Sequence, residues 1–572
     1  MFRVLPALRP AYLATVSMLC VVGYACDAAA QIPPSGEASR ASEELKSLSI
    51  PQKEPLKPVG ESPLPLQEAP DGADEMTFTL KSVTLNGVTA YQQGQLDALF
   101  RDKIGTDVSL MYLFDLANAV TVKYRNDGYI LSRAVVPQQE IRDGNVTLEI
   151  VEGYIGNVVV NGAPNENAQS RIHAIAQNVQ RYRPVNIKDI ERYLLLARDM
   201  AGYNVESLIR PATEGVGAAD LVLQVEHDPL MVSAGIDNYG TKFLGPLQGT
   251  LRVQGNSLIR PGDRTVARYV ATDGFVPWNQ QELRYFDVSH STPISDEGTM
   301  LTVSATHALA YPGNSLEPLD AKSRNTVFSL EASHPFIRTR QSNLFGAVQF
   351  NMIHTGNELA GFTLADDRLR VVRANASYDY ADSWNGITQI TGEVAKGLDI
   401  FGASNTNSAE LSRARGESRF LKFSVDAARL QKLFGNLNLY AQVRGQYTND
   451  RLLSAEEFGV GGGLLGRGYD SSEITGDRGY AGKLELQYNG TTGLSYMRDY
   501  QGFLFYDAGK VFQSDGKAGP DASIASVGAG VRFNVNDNFS GSLTLAKPLT
   551  KGVDSDNGDK DWRGYFSLSV RY

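Results

Sequence analysis

The chain has 572 residues, 54 Lys and Arg against 64 Asp and Glu, and a formal net charge of -10. It is therefore long enough for several domains and has no basic footprint for nucleic acid. Mean hydropathy is -0.24, and beyond the N-terminal segment no run of about 18 apolar residues occurs, which excludes an ordinary transmembrane helix but leaves a β-barrel open, because alternating strands give weak hydropathy.

Residues 1–30 carry Arg3 and Arg9, an apolar stretch from Ala11 to Tyr24, and Ala28-Ala29-Ala30 before Gln31. That pattern predicts a secretory signal cleaved after Ala30, so the mature chain leaves the cytoplasm. Both cysteines, Cys20 and Cys26, lie inside it; a mature chain without cysteines cannot rely on disulfides. A lipoprotein reading of Cys26 lacks the large aliphatic residue expected three positions upstream, where Gly23 stands.

Residues 31–75 are rich in Pro, Ser and Glu and read as an extended linker. Within them "SRASEELKSLS" holds good helix formers, giving a short helix at about 37–48 as one reading and a solvated disordered segment as the other.

Two units with the same order of elements follow, over 76–152 and 153–228. The first reads as a strand "FTLKSVTLNG", helices "QQGQLDALFRDKIG" and "LMYLFDLANAVTVKYRNDG", and strands "SRAVVPQQEI" and "NVTLEIVEG". The second reads as "IGNVVVNG", helical "QSRIHAIAQNV" and "IKDIERYLLLARDMAG", then "NVESLIRPA" and "ADLVLQVEH". This is a β-α-α-β-β repeat, with Asn-Gly closing the first strand of each copy at Asn86-Gly87 and Asn161-Gly162.

Over 229–572 the texture changes to segments of about 10 residues that alternate apolar and polar side chains between turn-rich gaps, such as "MLTVSATHAL", "LNLYAQVRGQY", "FLFYDAGKVF" and "GYFSLSVRY". About 16 such strands fit a single-chain outer-membrane barrel, for which an even number is needed. In the last of them Phe566, Leu568, Val570 and Tyr572 share one face, and a terminal aromatic after alternating apolar residues resembles the assembly signal of outer-membrane barrels. A soluble β-sandwich is the competing class, and the strand count behind a signal peptide favours the barrel.

One stretch invites a different chemistry. "GVGGGLLGRGYDSS" contains Gly461-x-Gly463-x-x-Gly466, the spacing of a dinucleotide cradle. A cradle needs a strand before it and a helix after it, whereas here a turn-rich segment and the strand "GKLELQY" follow, and Glu485, near the offset of a ribose-binding acid, sits in that strand. No cofactor is expected. His173, His290, His307 and His334 have no metal-ligand spacing, so no metal is expected. No constellation of base, nucleophile and orienting group suggests an enzyme.

The chain resembles the two-partner secretion transporters, the family of the haemolysin and filamentous-haemagglutinin secretion proteins, within the wider superfamily of outer-membrane insertases. The resemblance is carried by "VVPQQEIRDGNVTLEIVEGYIGNVVVNG" (Val135–Gly162), "DNYGTKFLGPLQGTLRVQGNSL" (Asp237–Leu258), "LLGRGY" (Leu464–Tyr469) and "FYDAG" (Phe505–Gly509). It implies two periplasmic polypeptide-transport-associated (POTRA) domains of β-α-α-β-β form, a 16-stranded barrel as the pore, the early helix as a plug, and an inward-folded loop at about 448–481. In that family the loop tip is V-R-G-Y/F, and its arginine meets the aspartate of an F-x-D motif on the wall. Here the tip is Gly466-Arg467-Gly468-Tyr469 and the wall motif is Phe505-Tyr506-Asp507, with Gly466 in place of the usual valine, which removes some apolar contact.

The implied function is transport: the POTRA domains recognise an unfolded partner exoprotein (an adhesin, haemolysin or similar) and the barrel conducts it outward without nucleotide hydrolysis. Candidate capture residues in the first unit are Leu113, Phe114 and Leu116 on a helix face and Val135 and Val136 in "SRAVVP", an edge to which an extended segment could add. The same apolar residues at helical spacing also fit the unit's own core. The resemblance further implies a monomeric barrel in outer-membrane lipids, assembled with the barrel assembly machinery and periplasmic chaperones. A superfamily insertase usually carries three or more periplasmic repeats, against two here, and a simple porin has no reason to carry such modules.

Overall fold

The computed structural model describes residues 32–47, 65–92, 94–272, 282–494, 497–514 and 521–572; the expected signal segment lies outside them. Among the described residues, sixteen antiparallel strands from Leu230–Asp237 to Arg563–Arg571 form a closed barrel. The last strand pairs with the first, from Ser567 opposite Asp237 to Arg571 opposite Ser233. Closure leaves no unpaired edge, which is what lets a sheet exist in hydrocarbon.

Strand periodicity sets the two faces of the wall. On Met497–Phe512, Leu504 and Tyr506 are exposed on the outside, while Phe503, Phe505 and Asp507 are buried on the inside. On Arg478–Leu494, Leu484, Leu486 and Tyr488 are exposed and Glu485 and Gln487 buried. The lipid face is thus apolar, while the lumen face carries the polar residues together with Phe503 and Phe505, whose rings stack under the Arg532 and Arg467 guanidinium groups. The final strand follows the alternation: Val570 and Tyr572 are exposed, Phe566 and Leu568 share their face, and on the other face Ser567 and Ser569 pair with Ser542 and Ser540 at 2.8 Å each. Tyr572 also exchanges main-chain hydrogen bonds with Val232 at 2.8 and 2.9 Å, so the terminal residue helps close the barrel.

Helix α1 (Ala38–Ser47) lies inside the barrel against the strands Met300–Ala310 and Lys322–Arg338. Its Ala38, Ala41 and Leu45 pack with Val270, Tyr285, Ala308 and Ala310. A ten-residue helix is marginal in water, and the lumen wall supplies the packing it needs.

The first small unit holds β1 (Thr77–Thr79), β2 (Ser82–Asn86), β3 (Asp107–Ser109), α2 (Leu110–Asn126), β4 (Arg133–Val135) and β5 (Asn145–Val151). Its sheet order is β2-β5-β4, with β2 parallel and β4 antiparallel to β5, while β1 pairs with β3 apart from it. The second holds β6 (Tyr154–Asn161), α3 (Glu166–Ala176), α4 (Ile187–Arg198), β7 (Tyr203–Pro211) and β8 (Ala218–His227), ordered β6-β8-β7 with β6 parallel to β8. The sheets share one topology, and both units are POTRA-like.

The repeat is less regular than the sequence pattern suggests. The helix expected over "QQGQLDALFRDKIG" is two short 3-10 turns, Asp97–Leu99 and Arg101–Lys103. Gly94 and Gly105 flank them at φ +85° and +83°, and so short a span does not nucleate an α-helix. Side-chain caps start the true helices: Ser109 caps α2, Asn165 caps α3 and an Asn186–Asp189 capping box opens α4, whereas the two 3-10 turns have no side-chain cap. Strand β4 covers only part of "SRAVVPQQEI", because Pro137 cannot donate to a ladder.

The second unit is tied to the barrel's periplasmic turns. Arg338, itself buried, forms a two-pronged bond with Asp199 at 2.7 Å on each side. Glu297 accepts from Arg192 at 3.2 Å and Tyr193 at 3.1 Å, and Arg171 pairs with Asp296.

Candidate functional site: the lumen loop and its anchor

The loop over 449–477 leaves the strand Leu437–Thr448 and folds back into the barrel before Arg478–Leu494. Its two arms pair as a hairpin, Phe458 opposite Gly476 to Val460 opposite Ile474, which holds the stem while the glycine-rich stretch turns beyond it. The tip is a tight turn closed by the Tyr469 N–H donating to the Gly466 carbonyl at 2.8 Å. Gly466 sits at φ +95°, a conformation that disfavours any β-branched residue, so the departure from valine has a backbone reason. Gly468 is needed for proximity: a Cβ there would lie 2.8 Å from the Ser526 Cβ and 2.9 Å from the Pro548 nitrogen on the wall.

Arg467 is 5% exposed and meets three groups at once. Its Nε and Nη2 bond Asp507 at 2.9 and 2.7 Å, a bidentate pair. Its Nη1 pairs with Glu485. Its guanidinium carbon stands 3.6 Å from the centre of the Phe505 ring. Asp507 also accepts the main-chain N–H of Gly466 at 3.2 Å and of Arg467 at 3.1 Å, so one buried carboxylate holds both the side chain and the backbone of the tip. Burial works against the Arg467 charge, but the Asp507 and Glu485 carboxylates outweigh it and hold the proton above the ordinary guanidinium value. Tyr469, 1% exposed, donates to the Ala525 carbonyl at 3.1 Å.

The structure thus brings Gly466, Arg467, Gly468, Tyr469, Phe505 and Asp507 together. The sequence reading missed Glu485 as a partner and Arg532, which bonds Glu485 at 3.0 Å. A signal existed: Glu485 and Asp507 occupy lumen-facing positions of neighbouring strands, and a second buried acid beside an arginine site asks for a second cation.

It also missed how α1 engages the same loop. Arg40, 1% exposed, donates to the Ser454 and Glu457 carbonyls, the latter at 2.8 Å, and Glu44 accepts the Gly463 N–H at 2.9 Å. Burial raises the Glu44 carboxyl above its ordinary value despite that bond. Glu37, just before α1, is pushed up to about 7 by burial, against the lowering pull of Arg40. Helix and loop fill the lumen as one hydrogen-bonded body. Beside them remains a cavity of about 610 Å³ whose lining includes Ser289, Ser304, Asn325, Asn351 and Glu393.

The candidate capture residues of the first unit do not form one surface. Leu113 and Leu116 are 0% and 2% exposed and Phe114 is also buried, so this face of α2 belongs to the unit's own core and offers nothing to a ligand. Val135 and Val136 are half-buried at the sheet edge formed by β4. The Ala134 N–H on that edge is taken by Thr121 Oγ1 at 2.9 Å, which blocks strand addition at this position.

The sequence profile of the family described as haemolysin secretion/activation protein ShlB/FhaC/HecB matches residues 217–533, and that of the ShlB-type POTRA domain matches 78–153. The chain is 23% identical over 480 residues to the heme/hemopexin transporter protein HuxB of Haemophilus influenzae, covering 82% of this chain and 83% of that one. It is 22% identical over 550 residues to the outer membrane transporter CdiB of Escherichia coli, covering 94% and 90%. Among solved structures, CdiB from Escherichia coli superposes with a TM-score of 0.75 at 20% identity, over 95% of this chain and all of that one, and CdiB from Acinetobacter baumannii with 0.65 at 17%, over 93% and 97%.

Proposed function

Because the chain belongs to the haemolysin secretion/activation protein family, the outer-membrane transporters of two-partner secretion, we propose that its POTRA domains receive an unfolded exoprotein in the periplasm and its barrel passes that chain to the surface without nucleotide hydrolysis. The observation that carries the reading is the content of the lumen. A pore built only for small solutes has no use for a helix and a loop bonded to each other and to the wall through buried Arg40, Glu44 and Arg467. In the transport reading they form a seal, which must yield for a polypeptide to pass. The Arg467–Asp507–Glu485 cluster then keeps the loop tip in register while α1 leaves, since its bonds run from the tip to the barrel wall and, among the described residues, none of them is made by α1.

Deletion of residues 76–228 tests it. The barrel should assemble, seen as heat-modifiable mobility on a gel, and export of the co-expressed cognate exoprotein should be lost. Undiminished export would refute the role of the POTRA domains; an unchanged phenotype with small-solute conduction would turn the reading toward a porin.

A further inference from the structure

The linker that leaves α1 is described again from residue 65, where it lies across the first POTRA-like unit. Gln67 makes four hydrogen bonds there, in two complementary pairs. Its main-chain N–H donates to Asn118 Oδ1 at 3.2 Å and its carbonyl accepts from Asn118 Nδ2 at 3.2 Å. Its side-chain Oε1 accepts the Val136 N–H at 2.7 Å and its Nε2 donates to the Val136 carbonyl at 3.3 Å.

The two pairs read different things. The Asn118 carboxamide satisfies the main-chain N–H and carbonyl of one residue whatever its side chain, and so recognises extended backbone. The Val136 main chain offers one donor and one acceptor, which only a primary carboxamide of the right reach can answer together. A glutamate in its place could accept from the N–H but would set a carboxylate against the Val136 carbonyl oxygen, with no proton to give. The groove is built from residues that work in step: Asn118 and Thr121 lie one helical turn apart on α2, where Thr121 takes the Ala134 N–H of the edge and Asn118 pairs with the main chain of Gln67. On this edge the Ala134 N–H is taken by Thr121, and the Val136 N–H and carbonyl are both covered by Gln67.

We propose that the groove between α2 and β4 is a peptide site for an extended segment bearing a primary carboxamide side chain, that the exported exoprotein supplies such a segment, and that Gln67 holds the site in the resting transporter. The proposal rests on the transport reading given above and names what the first POTRA domain recognises. As a tethered ligand the strap acts at an effective concentration on the order of millimolar, so it yields to a segment that binds more tightly than that.

The test uses the full-length protein in detergent and a fluorescent peptide of the strap sequence "SPLPLQEAP", with a second peptide carrying Glu at its glutamine, read by anisotropy. Gln67→Ala protein should bind the glutamine peptide about tenfold more tightly than unaltered protein does, and about tenfold more tightly than it binds the glutamate peptide, the loss expected for two hydrogen bonds. Asn118→Ala and the near-isosteric Asn118→Asp should each weaken binding of the glutamine peptide about tenfold. Equal affinity for the two peptides, or no gain on removing Gln67, overturns the site. Loss of export in Asn118→Asp with an assembled barrel supports the exoprotein as ligand. Full export by that variant overturns that part and leaves a linker clamp; the transport reading fails separately, only if the 76–228 deletion still exports.

Discussion

Replacing Arg467 by alanine removes the bidentate bond to Asp507, the bond to Glu485 and the stack on Phe505. The losses are unequal. Glu485 keeps Arg532 at 3.0 Å and Gln487 at 2.7 Å, whereas Asp507, fully buried, keeps, among the described residues, the N–H groups of residues 466 and 467, which belong to the tip itself. Breaking a buried pair by removing one partner costs about 3–5 kcal/mol, and the two amides bring the figure here to the lower end, about 3 kcal/mol. At about 1.4 kcal/mol per factor of ten, that shifts the tip from docked to undocked on the order of 100-fold. No cysteine occurs after Cys26, so a cysteine at buried Ser471 is a clean reporter. Its labelling by a membrane-impermeant maleimide should accelerate in Arg467→Ala while the barrel remains heat-modifiable, and export should fall sharply. The charge swap Arg467→Asp with Asp507→Arg should stay impaired, because the new aspartate faces Glu485. Unchanged labelling with full export, or full rescue by the swap, would refute the three-group anchor.

Gly466→Val, the residue usual in the family, should loosen the tip: the backbone is at φ +95° and the new Cβ would stand 3.0 Å from the Gly461 Cα, with strain of about 1–3 kcal/mol; labelling at Ser471→Cys no faster than in the unaltered protein would contradict this. Glu37 takes up a proton on docking, since burial lifts its carboxyl from 4.5 to about 7. Docking of α1 is therefore favoured fully at low pH and weakens as pH rises through about 7. Conductance in planar bilayers should rise over that interval and flatten in Glu37→Gln, and a pH-independent conductance would disprove it. Asp199→Ala leaves buried Arg338 with Asn343 at 2.8 Å as its side-chain partner, at a cost of about 2 kcal/mol, and should speed proteolysis between the second domain and the barrel without disturbing barrel mobility on a gel.

Much of the fold is legible locally. Alternation of period two reports which side of a strand meets lipid, so the barrel, its strand number and the face shared by Phe566 and Leu568 can be read from residues alone. The tip Arg467 and wall Asp507 were found through a family resemblance; spacing alone gave only a glycine pattern. Less legible was the first repeat, where apolar spacing suggested a helix that Gly94 and Gly105 reduce to two turns, and where Leu113, Phe114 and Leu116 looked as apt for a ligand as for a core. Periodicity says that a face is apolar, never what covers it.

The sequence by itself determined the classes of element and the polarity of each face, because these depend on neighbours within a few residues. Only the tertiary structure decided the partners. Glu485 is 18 residues from Arg467, Asp507 is 40, Glu44 is 419 from Gly463, and Gln67 is 69 from Val136. Each of these contacts joins groups whose charge or hydrogen-bonding capacity is ordinary for their residue type, and no local pattern marks one aspartate or glutamine above another. Barrel closure and the folding-in of loop, helix and linker set which of them is buried beside which, and burial is what turns an ordinary polar group into one that must be matched.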